Sequence, residues 1–176
     1  MAKIIMSAQD INRSIDRISL EILERNQGVE GLAIIGIHTG GVFLADRIRQ
    51  KIHAHEQGEP LVGNLDITLY RDDWSLISQN PIVRKTDIGF SLEGLRVVLV
   101  DDVVFTGRTI RAAMDALMDY GRPKMIQLAA LVDRGGRELP IQPDFVGMTI
   151  MAGDSEQVDV LLKENGDRDE VVIFEK

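Results

Sequence analysis

Apolar positions along the chain switch between two spacings, and each switch predicts a change of element. Ser7 is a good helix N-cap with Asp10 in the first turn, and Ile11, Ile15, Ile18 and Ile22 then recur on one helical face. An amphipathic helix ending near Asn26 and Gly28 is predicted. Leu32 to Ile37 is an almost unbroken apolar run, as expected of a strand buried on both faces of a parallel sheet. The loop His38-Thr39-Gly40-Gly41 joins it to a helix carrying Leu44, Ala45, Ile48 and Ile52. The same unit recurs later: Val97 to Val100 is aliphatic, Asp101 and Asp102 stand at its carboxyl end, and a turn is expected directly after them. Ile110, Ala113, Met114 and Leu117 follow at helical spacing, with Gly121 and Pro123 as stop signals, and Ile126 to Val132 resumes as a strand.

Between these units the pattern is weaker. His55 to Gly63 reads as a polar connection and Leu65 to Tyr70 as a strand. Arg71 to Gly94, which includes Trp74 and Pro81, shows little periodicity; a loop this long inside a compact domain is usually functional. Ile82 and Val83 are expected to pair back on Leu69 and Tyr70, making a long hairpin. Phe145 to Ile150, Val158 to Leu162 and Val171 to Phe174 are further short strands, expected in a small cap or edge. Strand, loop, helix and strand in succession predict an α/β fold with a central, mainly parallel sheet flanked by helices.

Composition narrows the function classes. A chain of 176 residues with 44% hydrophobic content is expected to form one domain, residues 1–176, with a sizeable core. A formal charge of −8 argues against a surface that binds nucleic acid by electrostatics alone, although it leaves room for a local basic face. The absence of cysteine excludes disulfides, thiol catalysis and cysteine-ligated metals. The histidines, His38, His53 and His55, do not form a zinc-protease pattern. After Lys3 the N-terminus has too short an apolar run for a signal peptide, and no stretch reaches membrane-spanning length, so the cytoplasm is the expected compartment.

The candidate chemistry lies in the second unit. Thr106-Gly107-Arg108-Thr109 opens a helix, where free N–H groups and the helix dipole favour a phosphate. Asp101 and Asp102 just before it call for a donor-rich, uncharged partner such as a ribose diol, with a divalent cation able to offset the crowded negative charge. An acidic pair after a buried strand also occurs in receiver domains and Walker B strands, and a glycine turn before a helix is common, so neither half is specific alone. Gly40 and Gly41 offer a second, weaker anion loop at another strand end.

Taken together, Val97 to Ile110 resembles the 5-phosphoribosyl 1-diphosphate (PRPP) motif of type I phosphoribosyltransferases. The blocks Asp66-Ile67-Thr68-Leu69-Tyr70-Arg71-Asp72-Asp73, Gly121-Arg122-Pro123, and Leu131-Val132-Asp133-Arg134-Gly135 with Arg137-Glu138-Leu139-Pro140 resemble the PyrR family more specifically, over nearly the whole chain. That family combines uracil phosphoribosyltransferase activity with regulation of pyrimidine-operon transcription through messenger RNA. The resemblance implies the type I phosphoribosyltransferase fold, with a small hood and a long flexible loop. It implies PRPP and uracil as substrates, UMP and diphosphate as products, and Mg²⁺ as cofactor.

By the same resemblance, Val103, Val104, Phe105, Thr106, Gly107, Arg108, Thr109 and Ile110 bind PRPP, Thr106 to Ile110 holding its 5-phosphate, and Asp101 and Asp102 hold the ribose hydroxyls, contacting the metal only indirectly. Thr39, Gly40 and Gly41 match the diphosphate loop, and Arg71 is the candidate to neutralise the leaving diphosphate. Uracil is assigned to Asp133, Arg134 and Gly135 and to backbone near Val158. Arg25 and Arg137 are left as RNA contacts. The chain departs from RNA-binding members at Gly40, where they usually carry arginine, and at Asp16, Leu20, Gln142 and Met148, which stand where they present basic or hydrogen-bonding groups. These departures weaken the mRNA partner and leave the enzyme reading intact. The competing reading is an RNA-binding attenuation regulator that senses UMP or PRPP with little catalysis. A purine or orotate transferase and a receiver-like module are more remote. The family also suggests a homodimer or higher assembly.

Overall fold

The computed structural model describes residues 2–73 and 82–176. Strand β1 (Lys3–Met6) leads into helix α1 (Ala8–Asn26), which starts with a capping box: the Asp10 amide donates to the Ser7 hydroxyl at 3.3 Å, and the Ser7 amide donates to the Asp10 carboxylate at 2.9 Å. Gln27 then takes a left-handed conformation and ends the helix. Strand β2 (Leu32–Ile37), helix α2 (Gly40–His55) and strand β3 (Leu61–Leu65) form the first crossover unit. Strand β4 (Arg96–Val104), helix α3 (Arg108–Leu117) and strand β5 (Met125–Asp133) form the second. Strands β6 (Phe145–Thr149), β7 (Glu156–Leu161) and β8 (Glu170–Glu175) follow.

Five strands make a parallel sheet in the order β3-β2-β4-β5-β6. Because side chains alternate along a strand, the sheet has two cores. Ile34, Val98, Val100 and Leu131 face α1 and α2, whereas Ile35, Val97, Leu99 and Ala130 face α3. The hood is a separate antiparallel sheet, β1-β8-β7, whose Val158, Leu162 and Val171 join the core under α1 and α2.

Four expectations change. Strand β4 does not end at the acidic pair but runs on to Val104, because Asp101, Val103 and Val104 pair with Ala130, Val132 and Asp133 of β5. The strand at the sheet edge is Leu61–Leu65, within the presumed polar connection, and residues Thr68–Tyr70 form a 3₁₀ turn. That turn is favoured by Asp66, whose carboxylate accepts from both the amide and the hydroxyl of Thr68. The returning segment pairs with β3 through Asn64 and Asp87, not with Leu69 and Tyr70. Trp74 and Pro81 lie outside the described residues. Strand β1 had too short a signal for prediction, and its strand state comes from pairing with β8. Among the described residues no helix is long and apolar enough to cross a membrane.

Candidate active site

The carboxyl ends of β2, β4 and β5 carry the candidate residues, as the rule for open α/β sheets requires. Gly107 caps α3 with φ of 91°, a conformation that side chains disfavour. Residues Val103 to Ile110, together with Asp101, Arg71, Asp72, Asp73 and Glu138, line a cavity of about 440 Å³. The helix end, the strand end and the base of the long loop therefore meet in one space.

The strand's alternation separates the acidic pair. Asp101, 7% exposed, lines the cavity. Asp102 stands against the α2 start, where a Cβ on Gly40 would fall 2.4 Å from its Oδ2. Gly41 is tighter still: a Cβ there would lie 2.2 Å from the Val100 carbonyl oxygen. The His38–Thr39 peptide bond in this loop is cis. Gly40 thus sits beside Asp102 and Gly41 against the backbone of Val100, and neither they nor Thr39 are in the cavity lining.

Neither aspartate has a cationic partner among the described residues. The Asp102 amide donates to Asp101 at 3.0 Å and the Val103 amide donates to Asp102 at 2.8 Å. Burial, and then the neighbouring Asp102 charge, pushes the Asp101 carboxyl well above the usual range. Burial also raises Asp102, and Asp159 on β7 adds a further repulsion. Such a site favours a partner that donates hydrogen bonds, such as a diol, or a cation.

The arginines of the cavity are held by carboxylates. Arg71 makes a two-pronged contact with Asp73 at 2.9 Å, and Arg108 reaches Asp72 and Glu138 at 2.6 Å each. Asp66 anchors the loop that carries Arg71, binding Thr68 on one side and the Arg84 amide, at 2.5 Å, on the other. Tyr70 donates to Asp119 beyond α3 and fixes the same turn. Asp66, Asp72 and Asp73 were visible only as members of a family block; their roles as loop anchor and arginine partners needed the fold.

Asp133 is the last residue of β5, and Arg134 and Gly135 follow it. Asp133 accepts from the Gly135 amide at 3.0 Å and pairs with Arg137 at 2.7 Å. Arg137 also donates to the carbonyls of Ile141 and Phe105, so its guanidinium acts as an internal strut. Arg134 is buried and packs over the Phe105 ring. Val158 is buried in the hood's share of the core. Arg25 is exposed on α1 beside Asp144, at 3.4 Å, and Phe145. Close by, Asp16 is paired with Lys51, Leu20 and Gln142 are exposed, and Met148 is half-buried on β6.

The phosphoribosyl transferase domain model matches residues 1–161. The bifunctional protein PyrR of Syntrophobacter fumaroxidans is 53% identical, with 98% of this chain and 92% of that protein covered. The chain belongs to the PyrR family of phosphoribosyl transferases. Its relatives of the same designation include those of a Thermoanaerobacter species, 54% identical with 98% and 97% covered, and of Bacillus cereus, 51% identical with the same coverage. Among solved structures, the hypoxanthine phosphoribosyltransferase of Trypanosoma cruzi superposes with a TM-score of 0.71 over 98% of this chain and 96% of that one. That of Staphylococcus aureus gives 0.66 over 88% and 80%. At 17% and 18% identity these two report the fold and not the base. The PyrR-type blocks around Arg71 and Arg134 thus fall in the cavity lining and against Phe105.

Proposed function

We propose that this chain, acting as a single domain in the cytoplasm, transfers the phosphoribosyl group of PRPP to uracil, forming UMP and diphosphate. The observation that carries this reading is the single cavity into which the α3 N-terminus, Asp101 and Arg71 all open, in a chain so similar to bifunctional PyrR proteins. The 5-phosphate binds the amides of Thr106 to Ile110, where no competing acidic side chain stands in the helix's first turn. Asp101 and Asp102 receive the ribose hydroxyls, and the loop of Thr39, Gly40 and Gly41 receives diphosphate. Arg71 leaves Asp73 to meet the negative charge that builds on the leaving group. In the step itself the uracil N1–C1′ bond forms, the C1′–O bond to diphosphate breaks with its electron pair leaving on oxygen, and the N1 proton passes to solvent.

The donor set fits Mg²⁺. Among the described residues no cluster forms an all-protein metal cage, but hard carboxylate oxygens border the space where PRPP would lie. Magnesium suits such a site because it keeps waters and binds chiefly through substrate phosphates. It would supply charge neutralisation on the diphosphate, with Asp101 and Asp102 acting through ribose hydroxyls or water.

The deciding experiment is product formation from PRPP and Mg²⁺ with uracil, hypoxanthine, guanine or orotate. Turnover with uracil alone is expected; turnover with a purine alone would overturn the uracil assignment. Regulation through pyrimidine-operon mRNA is the second reading, favoured by the word bifunctional in the relatives' names. The face formed by α1 and β6 would carry it, with Arg25 among its exposed cations. Placing lysine or arginine at Leu20, Gln142 and Met148 should strengthen RNA binding in a filter-binding titration; unchanged affinity would exclude that face. A homo-oligomer is expected and is measurable by sedimentation.

A further inference from the structure

Among the described residues lining the cavity the aromatic ring is Phe105, which is 40% exposed and sits within the proposed phosphate loop. Its position is locked from three directions. The Arg134 guanidinium lies over one face, 4.0 Å from the centroid. Gly136 backs the ring so closely that a Cβ there would fall 2.4 Å from Cε2. Arg137 donates to the Phe105 carbonyl at 2.8 Å. One face of the ring is therefore occupied by a cation.

That cation is unusual. Arg134 is 6% exposed, its Nη2 donates only to the Gly153 carbonyl at 3.2 Å, and its buried Nε has no hydrogen-bond partner. The neighbouring carboxylate, Asp133, is committed to Arg137, and among the described residues Arg134 forms no ion pair. A buried guanidinium without a counter-charge is costly, and contact with one aromatic face offsets only part of that cost. Such a charge is poised for negative charge that arrives with a ligand.

Among the described residues the cavity also offers no carboxylate left over to act as a general base. Asp72, Asp73 and Glu138 are bound to arginines, and Asp101 is given to the ribose hydroxyls in the reading above. Loss of the N1 proton must then be eased by making the base more acidic, not by a carboxylate that removes it. Resting on the uracil reading above, we infer that Arg134 is a positioning residue that stabilises the negative charge developing on the pyrimidine, acting through the Phe105 ring, on whose cavity side the base stacks. The proton leaves N1 for solvent, the N1 electron pair attacks C1′, and Arg134 lowers the cost of charge on the ring until the new bond consumes it.

The test compares uracil with 5-fluorouracil, whose N1–H is more acidic because fluorine withdraws electrons. Values of kcat/KM are measured across pH for the natural protein, Arg134→Met and Arg134→Lys, with PRPP binding by calorimetry as the check on the folded site. In Arg134→Met, uracil should lose roughly 10²-fold, the size of effect seen when one preorganised electrostatic group is removed. Its rising limb should move to higher pH. The fluorinated base should lose about tenfold less, since its lower acidity barrier replaces part of the missing charge. Arg134→Lys should recover part of the uracil rate. Equal losses for both bases with an unshifted pH profile would reduce Arg134 to a packing role and overturn the inference. If Arg134→Met fails to bind PRPP, Phe105→Leu carries the test: uracil KM should rise about tenfold, the scale of one lost aromatic stack, and an unchanged KM overturns the proposal. No UMP from the natural protein would instead sink the uracil reading, a result distinct from either.

Discussion

Glu164 and Asp169, in the turn between β7 and β8, flank a single cation, whereas Asp101 and Asp102 stand next to each other along β4 with none among the described residues. Arg47 of α2 reaches Glu164 at 2.6 Å and Asp169 at 2.8 Å, and the Lys163 amide completes Asp169 at 2.9 Å. Hydrogen bonding from Arg47 lowers the Glu164 carboxyl below its ordinary range. Burial would raise Asp169, but Arg47 and the Lys163 amide outweigh it and the net shift is downward. At the acidic pair the same physical quantities have the opposite balance, and both carboxyls are raised. One cluster ties the hood to α2; the other holds unfavourable charge in a cavity. Paired charges in a protein are structural by default, and unpaired buried ones point to a ligand.

The largest expected effect removes the charged pair. Asp101→Ala with Asp102→Ala should cut UMP formation by about 10³-fold or more, while circular dichroism and the melting profile remain those of a folded protein. Full activity in that variant would erase the contrast. Next, Arg47→Met should lower unfolding free energy by about 2 kcal/mol, since it leaves two carboxylates without their charge-assisted hydrogen bonds. Urea titration measures this, and kinetic constants at low temperature should stay close to those of the natural protein. A large drop in kcat with unchanged stability would mean that the triad serves the site.

A smaller effect sharpens the contrast by its sign. The folded-state pKa of Asp101 lies above its unfolded value, so the folded state binds the extra proton and is favoured at low pH. That advantage falls as pH rises from the unfolded value of 3.8 through the raised folded value. Asp101→Asn should therefore stabilise the protein at neutral pH by about 1 kcal/mol, a rise in Tm of about 2–4 °C. The gain should vanish in acid. For Glu164 and Asp169 the folded values lie below the ordinary values of 4.5 and 3.8, so their contribution is complete above those values and lost as pH falls through the depressed ones. Acid titration of stability should thus be shallower in Arg47→Met than in the natural protein. Equal slopes would show that the ion pairs contribute nothing measurable, and this is the smallest of the four effects.

Much of the architecture was legible because it is local. Ser7 and Asp10 announce the α1 start, and Leu32 to Ile37 announces a doubly covered strand. Thr106 to Thr109 marks the turn that opens α3, and the structure places that turn in the lining of a cavity. The misread segments are those whose state depends on distant partners. Asp101 to Val104 continue as a strand because β5 runs alongside, and Leu61 to Leu65 form one because β2 does. Thr68 to Tyr70 alternate like a strand, yet Asp66 turns them into a 3₁₀ helix. Arg137 reads as a surface cation in the sequence and is an internal strut in the fold.

By itself the sequence determined the order of elements, the two strand-loop-helix units and the chemical types at their ends, since hydrophobic period and capping residues act within a few positions of the chain. Only the tertiary structure decided which ends meet. It set Asp102 against Gly40, brought Asp159 of the hood near Asp102, paired Arg108 with Asp72, and slid Arg134 beneath Phe105. These contacts join residues that are far apart in the chain or that face each other only once two strand ends are aligned. No local spacing encodes them, because they arise from sheet register and from the packing of the hood against the core.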